Sequence, residues 1–356
     1  MVSTFKGNCL PCLIGSLPLT DYIEAARLVW EHTPEIPLWA QLPKMPGESI
    51  TRQFAAGMHG LTEEGGRAIV DTASPGFEES LLKFYEEALA VEDGSADLDH
   101  SRFAMSADAA AGFFELIRQA RVLTPPPLAV KGQIVGPLTF GTSLYGRDGK
   151  AIFYDAQLRD ASVRLLALRA RWQVRQLAAL GRPVLLFIDD PAVTGFGSSI
   201  YIGLGREEIT ESLGALIDAV HQEGGLAGVH ICANADWTLI LNSAADILSF
   251  DAYAFFDQFV IYRDAIRRFV ERGGMIAWGL IPTLSPEDLE RETAASLQAQ
   301  WETKSEQIVK LGIDRRQLTA QSLITPACGM GALSEALALR ALKLTRELSD
   351  RIRARS

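Results

Sequence analysis

A (β/α)8 (TIM) barrel, an α/β fold, is the architecture this sequence predicts, and three observations predict it. Short apolar runs stopped by Gly, Pro, Ser or Asp alternate with longer amphipathic patterns. Several of the runs are apolar throughout, as in parallel strands covered on both faces. Small, polar and metal-type residues gather at one end of them, and in such barrels the functional groups sit at the C-terminal ends of the strands. Eight runs qualify: residues 9–16, 36–42, 130–137, 184–189, 227–232, 247–253, 275–282 and 319–328. A doubly wound sheet competes, but no glycine-rich dinucleotide fingerprint follows the first run.

Taken in order, the first run opens with Cys9-Leu-Pro-Cys12 and ends at Ile14-Gly15-Ser16. The second is followed by residues 43–127, too long for a simple connection. That stretch has helical patterns of its own around 79–87 and 107–122, so it is read as a long helical insertion covering the mouth of the barrel as a subdomain or lid. Amphipathic helices are expected at 152–180, 206–223, 256–272, 286–311 and 333–353. Ser285, ahead of Pro286-Glu-Asp-Leu, sits in N-cap position, with acidic residues in the first turn. The whole chain, 1–356, is read as a single barrel domain with 43–127 inserted.

Composition narrows the function. The chain has 356 residues, 48% of them hydrophobic, with a formal net charge of −10 and a pI near 5.1. Its Lys and Arg are scattered over presumptive helices, so no basic stripe suits nucleic acid. Four cysteines in this length do not make a disulfide scaffold. No N-terminal signal pattern is present, and no apolar run reaches the roughly 18 residues that would span a bilayer. A cytoplasmic protein with reduced thiols and no membrane partner is expected.

His230 and Cys232, in Gly-Val-His-Ile-Cys-Ala-Asn, and Cys328, in Thr-Pro-Ala-Cys-Gly-Met-Gly, carry the chemistry. A His-x-Cys pair joined by a distant Cys supplies three ligands that zinc prefers and leaves one position for substrate. Inert burial is the bland alternative for any single cysteine, but all three residues fall at predicted strand ends. Asp189-Asp190-Pro191, Asp251 and Gly279 share that rim. Cys9 and Cys12 lack a further ligand pair, and packing is the simpler reading.

At these residues the chain resembles the catalytic C-terminal half of cobalamin-independent methionine synthase. It is also similar to the wider superfamily of uroporphyrinogen decarboxylase and the methylcobamide:coenzyme M methyltransferases. Ile14-Gly15-Ser16-Leu17-Pro18-Leu19-Thr20 is similar to Ile-Gly-Ser-Phe-Pro-x-Thr, and Gly47-Glu48 with Arg52 is loosely similar to Gly-Glu-x-x-Arg. Lys131-Gly132-x-x-x-Gly136-Pro137-Leu138-Thr139 is similar to Lys-Gly-x-x-x-Gly-Pro-Val-Thr, and Ile188-Asp189-Asp190-Pro191-Ala192 to Ile-Asp-Glu-Pro-Ala. His230-Ile231-Cys232-x-Asn234 is also close to His-Ile-Cys-Gly-Asn of the coenzyme M enzymes.

The resemblance implies zinc held by His230, Cys232 and Cys328. The synthase's fourth ligand is a glutamate, and Asp251 stands in its place, either coordinating or withdrawn behind the others. It also implies a substrate thiol, homocysteine above all, anchored by Ser16, Glu48, Asp189 and Asp190. The synthase's additional N-terminal barrel, which helps bind folate, has no counterpart here. The expected methyl donor is therefore a methylated corrinoid, free or on a corrinoid protein, ahead of methyl-tetrahydrofolate. The alternatives are a coenzyme M-type thiol methyltransferase, a metal-free decarboxylase and a non-catalytic binding barrel. Against the decarboxylase, residues 1–26 offer Lys6 and no arginine to clamp several carboxylates.

Overall fold

The computed structural model describes residues 5–65 and 67–355. Among these residues ten strands form two sheets. The larger has seven parallel strands: β1 (Leu10–Pro11), β4 (Val130–Val135), β6 (Val184–Asp189), β7 (Leu226–Ile231), β8 (Ile247–Phe250), β9 (Met275–Ile281) and β10 (Ser322–Pro326). Their order is β1-β10-β9-β8-β7-β6-β4, a curled, barrel-like arrangement. Strands β4, β6, β7 and β9 are buried along their whole length, which accounts for the predominance of apolar residues in them.

The expected second strand, 36–42, differs. It joins the sheet only through single bridges, Leu38 to Lys131 beside one edge and Ser16 to Gln41 beside the other. Pro37 has no N–H to give a ladder, although its carbonyl accepts from the Lys131 N–H at 2.9 Å. The segment thus occupies the eighth place without forming a regular strand.

Inside the sheet, alternation turns every second residue inward. At the base these residues are apolar. Ala129, Leu185, Leu226, Ile247, Met275 and Leu323, each from a different strand or its approach, share one buried cluster. Further along the same strands the inward residues become polar: Lys131 and Gln133, Asp189, His230, Ser249 and Thr325.

Outside the sheet lie α1 (Tyr22–His32, capped by Asp21), α4 (Pro137–Ser143), α5 (Ala156–Ala178, capped by Asp155), α6 (Arg206–Gln222) and α13 (Glu335–Arg353, capped by Ser334). The helix expected at 286–311 is two, α10 (Pro286–Arg291) and α11 (Ala294–Val309), because Thr293 begins a second helix with a capping box. The one expected at 256–272 is likewise α8 (Phe256–Phe259) and α9 (Arg263–Glu271). Two short helices remain, α7 (Thr238–Leu241) and α12 (Arg315–Ala320), and the latter takes the start of the run expected as strand 319–328. Among the described residues no helix is long and apolar enough to cross a membrane.

Residues 43–127 hold α2 (Phe77–Glu92) and α3 (Ala111–Ala120). They are not purely helical. Strands β2 (Leu61–Glu64) and β3 (Arg67–Val70) form a hairpin, which β5 (Tyr145–Gly146) joins in parallel. Arg169 of α5 anchors this region. Buried and facing carbonyl groups, its guanidinium donates to Phe54 O and Ala56 O at 2.6 Å, Arg102 O at 3.2 Å and Phe103 O at 3.3 Å. A second tie runs from Gln41 Nε2 to Gln53 Oε1 (2.6 Å) and from Gln53 Nε2 to Ala109 O (2.8 Å).

Candidate metal centre

Strand β7 aims His230 inward and delivers Cys232 just past its end. Its Gly228 is required by close packing, since a Cβ there would lie 2.4 Å from the Phe187 ring. The loop after β10 brings Cys328 to the same place. His230, Cys232 and Cys328 each offer one ligand atom, and the three atoms lie within 4.8 Å of one another. Among the described residues this is the group of His, Cys, Asp and Glu side chains arranged to hold a metal ion.

Each ligand is held by its surroundings. His230 Nδ1 meets Ser249 Oγ at 3.0 Å, which fixes the ring, while the buried Nε2 makes no hydrogen bond within the chain. The Thr283 hydroxyl clasps the Cys328 peptide, accepting from its N–H at 2.9 Å and donating to its carbonyl at 3.0 Å. Gly279 lets the strands close up beneath; a Cβ there would come within 2.4 Å of Phe250 O. The Cys232 and Cys328 thiols interact with each other. This contact, with His230 nearby, pulls the Cys232 thiol below its ordinary range and pushes Cys328 up.

The other expected site residues take different places. Asp251 is buried, and its Oδ1 accepts from the Ala254 N–H at 2.9 Å; it stands outside the close group of ligand atoms. Burial pushes Asp189 and Asp190 up to about 6. Asp190 is fully engaged, accepting from Leu138 N–H (3.1 Å), Thr139 N–H (2.7 Å) and Thr139 Oγ (2.6 Å) at the start of α4. Gly136 makes room for it, since a Cβ there would fall 2.2 Å from Asp190 Cβ. Asp189, in contrast, has an Oδ1 with no hydrogen bond, and His230 and Cys232 are among its electrostatic neighbours.

Ser16 supports the ligand loop: its Oγ accepts from Gly331 N–H at 3.1 Å and its carbonyl from Met330 N–H at 2.9 Å. Glu48 is buried, one oxygen accepting from Tyr22 Oη (2.8 Å) and the other from Leu42 N–H (2.6 Å). Cys9 and Cys12 belong to separate apolar clusters, and burial pushes their thiols up to about 12 and about 11. They are packing residues.

Ser249 and Thr283 escape sequence reading. Ser249 is recognisable only from the register that pairs it with His230. Thr283 reaches Cys328 between two loops, and no local pattern announces that contact.

No protein-family profile matches this sequence, and no curated protein matches it. Solved structures do. A B12-independent methionine synthase from Shewanella sp. W3-18-1, in complex with selenomethionine, superposes with a TM-score of 0.55 over 98% of each chain at 14% identity. A GH5-4 broad specificity endoglucanase from Clostridium acetobutylicum follows at 0.40 and 10% identity, over 97% of this chain and 99% of its own. At that score it carries no weight. This chain therefore shares a TIM-barrel-like fold with the Shewanella synthase, over the full length of both.

Proposed function

We propose that the chain is a zinc-dependent methyltransferase that methylates a thiol, homocysteine above all, to give methionine. The observation that carries this reading is the convergence of His230, Cys232 and Cys328, with a buried His230 Nε2 that bonds nothing else in the chain. Two sulfurs and one imidazole suit zinc, and three protein ligands leave a position for substrate. When bound, zinc would hold the acceptor thiol as a nucleophilic thiolate near neutral pH.

The chain's own residues do the rest. Ser249 holds the His230 ring through Nδ1 and leaves Nε2 as the nitrogen open to a metal. Thr283 and Ser16 hold the Cys328 loop from opposite sides. Asp189, with Oδ1 free, accepts the amino end of the acceptor. Ser16, Glu48 and Asp190, whose oxygens are already hydrogen-bonded, shape the surrounding loops. Asp251 braces the turn after β8 rather than joining the ligand set. Residues 43–127 cover the mouth within a single barrel domain, and reduced cytoplasmic thiols keep the cysteines available.

The donor in this reading is a methylated corrinoid, free or on a partner protein. Methyl-tetrahydrofolate is the second reading. One observation favours it: the fold matches over its whole length a synthase named B12-independent.

Metal analysis and zinc-edge X-ray absorption, before and after adding homocysteine, test the proposal. About one zinc per chain is expected, gaining a sulfur neighbour with homocysteine and lost in Cys232→Ser and Cys328→Ser. Zinc-free protein from metal-replete medium, or activity surviving full metal removal, overturns it.

A further inference from the structure

The end of the barrel opposite the metal centre holds a cavity of about 690 Å³, within the size range of small-molecule sites. Its walls come from the turn before β1, from α11 and α12, and from the end of α13. Strand β10 relates the two ends. Ala320, in the cavity wall, lies two residues before it, and Cys328 lies two residues after it. The five residues of β10 alone put roughly 16 Å between them.

The chain carries a net charge of −10, yet four arginines line this cavity, Arg315, Arg316, Arg353 and Arg355, against one carboxylate, Glu302. Glu302 is already engaged, its Oε1 accepting from Gln298 Nε2 at 2.9 Å and from Arg355 at 3.1 Å. Arg315 pairs with Glu306, and Arg353 stands 3.9 Å from both Glu35 and Asp350. These arginines are more than one-third exposed, and ion pairs in water are weak and readily exchanged. Arg316 is exposed and makes no ion pair or hydrogen bond among the described residues. A positive surplus in the wall of a cleft draws anions to it, whatever the sign of the whole chain.

Two more groups in the wall lack partners. Trp301 is nine-tenths buried, and its indole N–H makes no hydrogen bond among the described residues. Asn8 is exposed, and its side-chain amide likewise bonds nothing. Asn8 and Cys9 both adopt the left-handed backbone, with φ of 44° and 54°, which residues bearing a Cβ seldom do. The turn is pinned by Asn8 N–H to Ala320 O at 3.2 Å and Cys9 N–H to Ser322 O at 2.8 Å, which fixes Asn8 at the cavity. Ile352, Ala320 and the Trp301 ring make the rest of the wall apolar.

We propose that this cavity binds an organic polyphosphate, such as a nucleoside diphosphate, with its phosphates on the arginines and its organic body against the apolar wall. Guanidinium forks match phosphate oxygens, and four of them call for several negative charges on one ligand. The Asn8 amide offers a donor and an acceptor to the uncharged part. The inference does not depend on zinc or on methyl transfer.

Calorimetric titration of the zinc-loaded full chain with ADP, pyrophosphate, citrate and adenosine tests it. ADP should bind with a Kd of about 100 μM or tighter, pyrophosphate and citrate about tenfold more weakly, and adenosine without measurable heat. Arg316→Gln alters a side chain with no partner in the fold and should weaken ADP by about fivefold or more. Arg316→Gln with Arg353→Gln should weaken it by about twentyfold or more. Cys232→Ser, at the other end of the barrel, should bind ADP as wild type does. No binding of ADP by wild type, equal binding of pyrophosphate or citrate, or arginine variants that keep wild-type affinity overturns the inference. ADP binding lost in Cys232→Ser would place the nucleotide on the metal centre and overturn it as well.

Discussion

The barrel-like sheet and the inserted region satisfy their backbones by opposite means. In β4, β6, β7 and β9 every residue is buried and the ladder of the neighbouring strands takes up the peptide groups. In the insertion, the carbonyls of Phe54, Ala56, Arg102 and Phe103 converge on one guanidinium from α5. The first solution is repetitive and tolerates the loss of one contact. The second concentrates four backbone groups on a single side chain. Regular structure distributes risk, and irregular structure gathers it at anchors.

The largest way to break this contrast is Arg169→Met. It leaves four inward-facing carbonyls unpartnered and should cost about 3–5 kcal/mol in urea unfolding. Limited proteolysis should cut within residues 43–127 well before the sheet. A loss below about 1 kcal/mol, or simultaneous cleavage of both regions, would show that the clamp does not hold the insertion.

A smaller effect is expected on the barrel side. Gly228→Ala places a methyl group 2.4 Å from the Phe187 ring. Overpacking of this kind costs about 1–3 kcal/mol. Metal retention should fall with it, since His230 lies two residues on, while the proteolysis pattern of the insertion stays as in wild type. Wild-type metal affinity in a destabilised Gly228→Ala protein would separate strand packing from the site.

The smallest expected effect lies at the base of the barrel. His221 Nε2 meets Asp246 Oδ2 at 2.7 Å, and Asp246 also accepts from Ala227 N–H at 2.8 Å, at the start of β7. The Asp246 hydrogen bond raises the His221 pKa above its usual 6.5. Protonated His221 therefore stabilises the fold fully below about pH 6.5. That contribution disappears as pH rises through the elevated folded-state value. His221 is about one-third exposed, so the contribution is screened to about a few tenths of a kcal/mol. His221→Gln should lower the melting temperature slightly near about pH 5.5 and leave it unchanged near about pH 9. An equal shift at both pH values would mean that packing, not charge, is involved.

The same contrast explains what sequence reading recovers. Seven of the eight expected strands are present in the sheet because burial on both faces writes itself as short, mostly apolar runs. Segment 36–42 has that composition too, but Pro37 denies it a ladder. The hairpin of β2 and β3 did leave one signal, the Gly65-Gly66 dipeptide ahead of Ala68-Ile69-Val70, and the helical reading of 43–127 passed over it. His230, Cys232 and Cys328 are legible as a candidate metal group because the side chains able to hold a metal are of few types. Glu48, Ser16 and Asp190 are legible as polar residues at special positions, yet their oxygens are already taken by hydrogen bonds within the chain. Arg315, Arg316, Arg353 and Arg355 stand in two separate stretches and look like scattered surface charge. Their interest comes from sharing one cavity, which only the fold reveals.

One turn of α5 has a consequence for anyone who would exchange parts of this protein. Arg169 and Gln173 are four residues apart and so share a helix face. Arg169 grips the insertion, while Gln173 accepts from Trp39 Nε1 at 3.1 Å and donates to the Gln133 carbonyl at 3.1 Å. The transplantable module is therefore not residues 43–127 alone. A graft that moves the insertion without this turn of α5 leaves its anchor behind, and one that redesigns the turn for a new insertion also rewrites the support beneath Gln133.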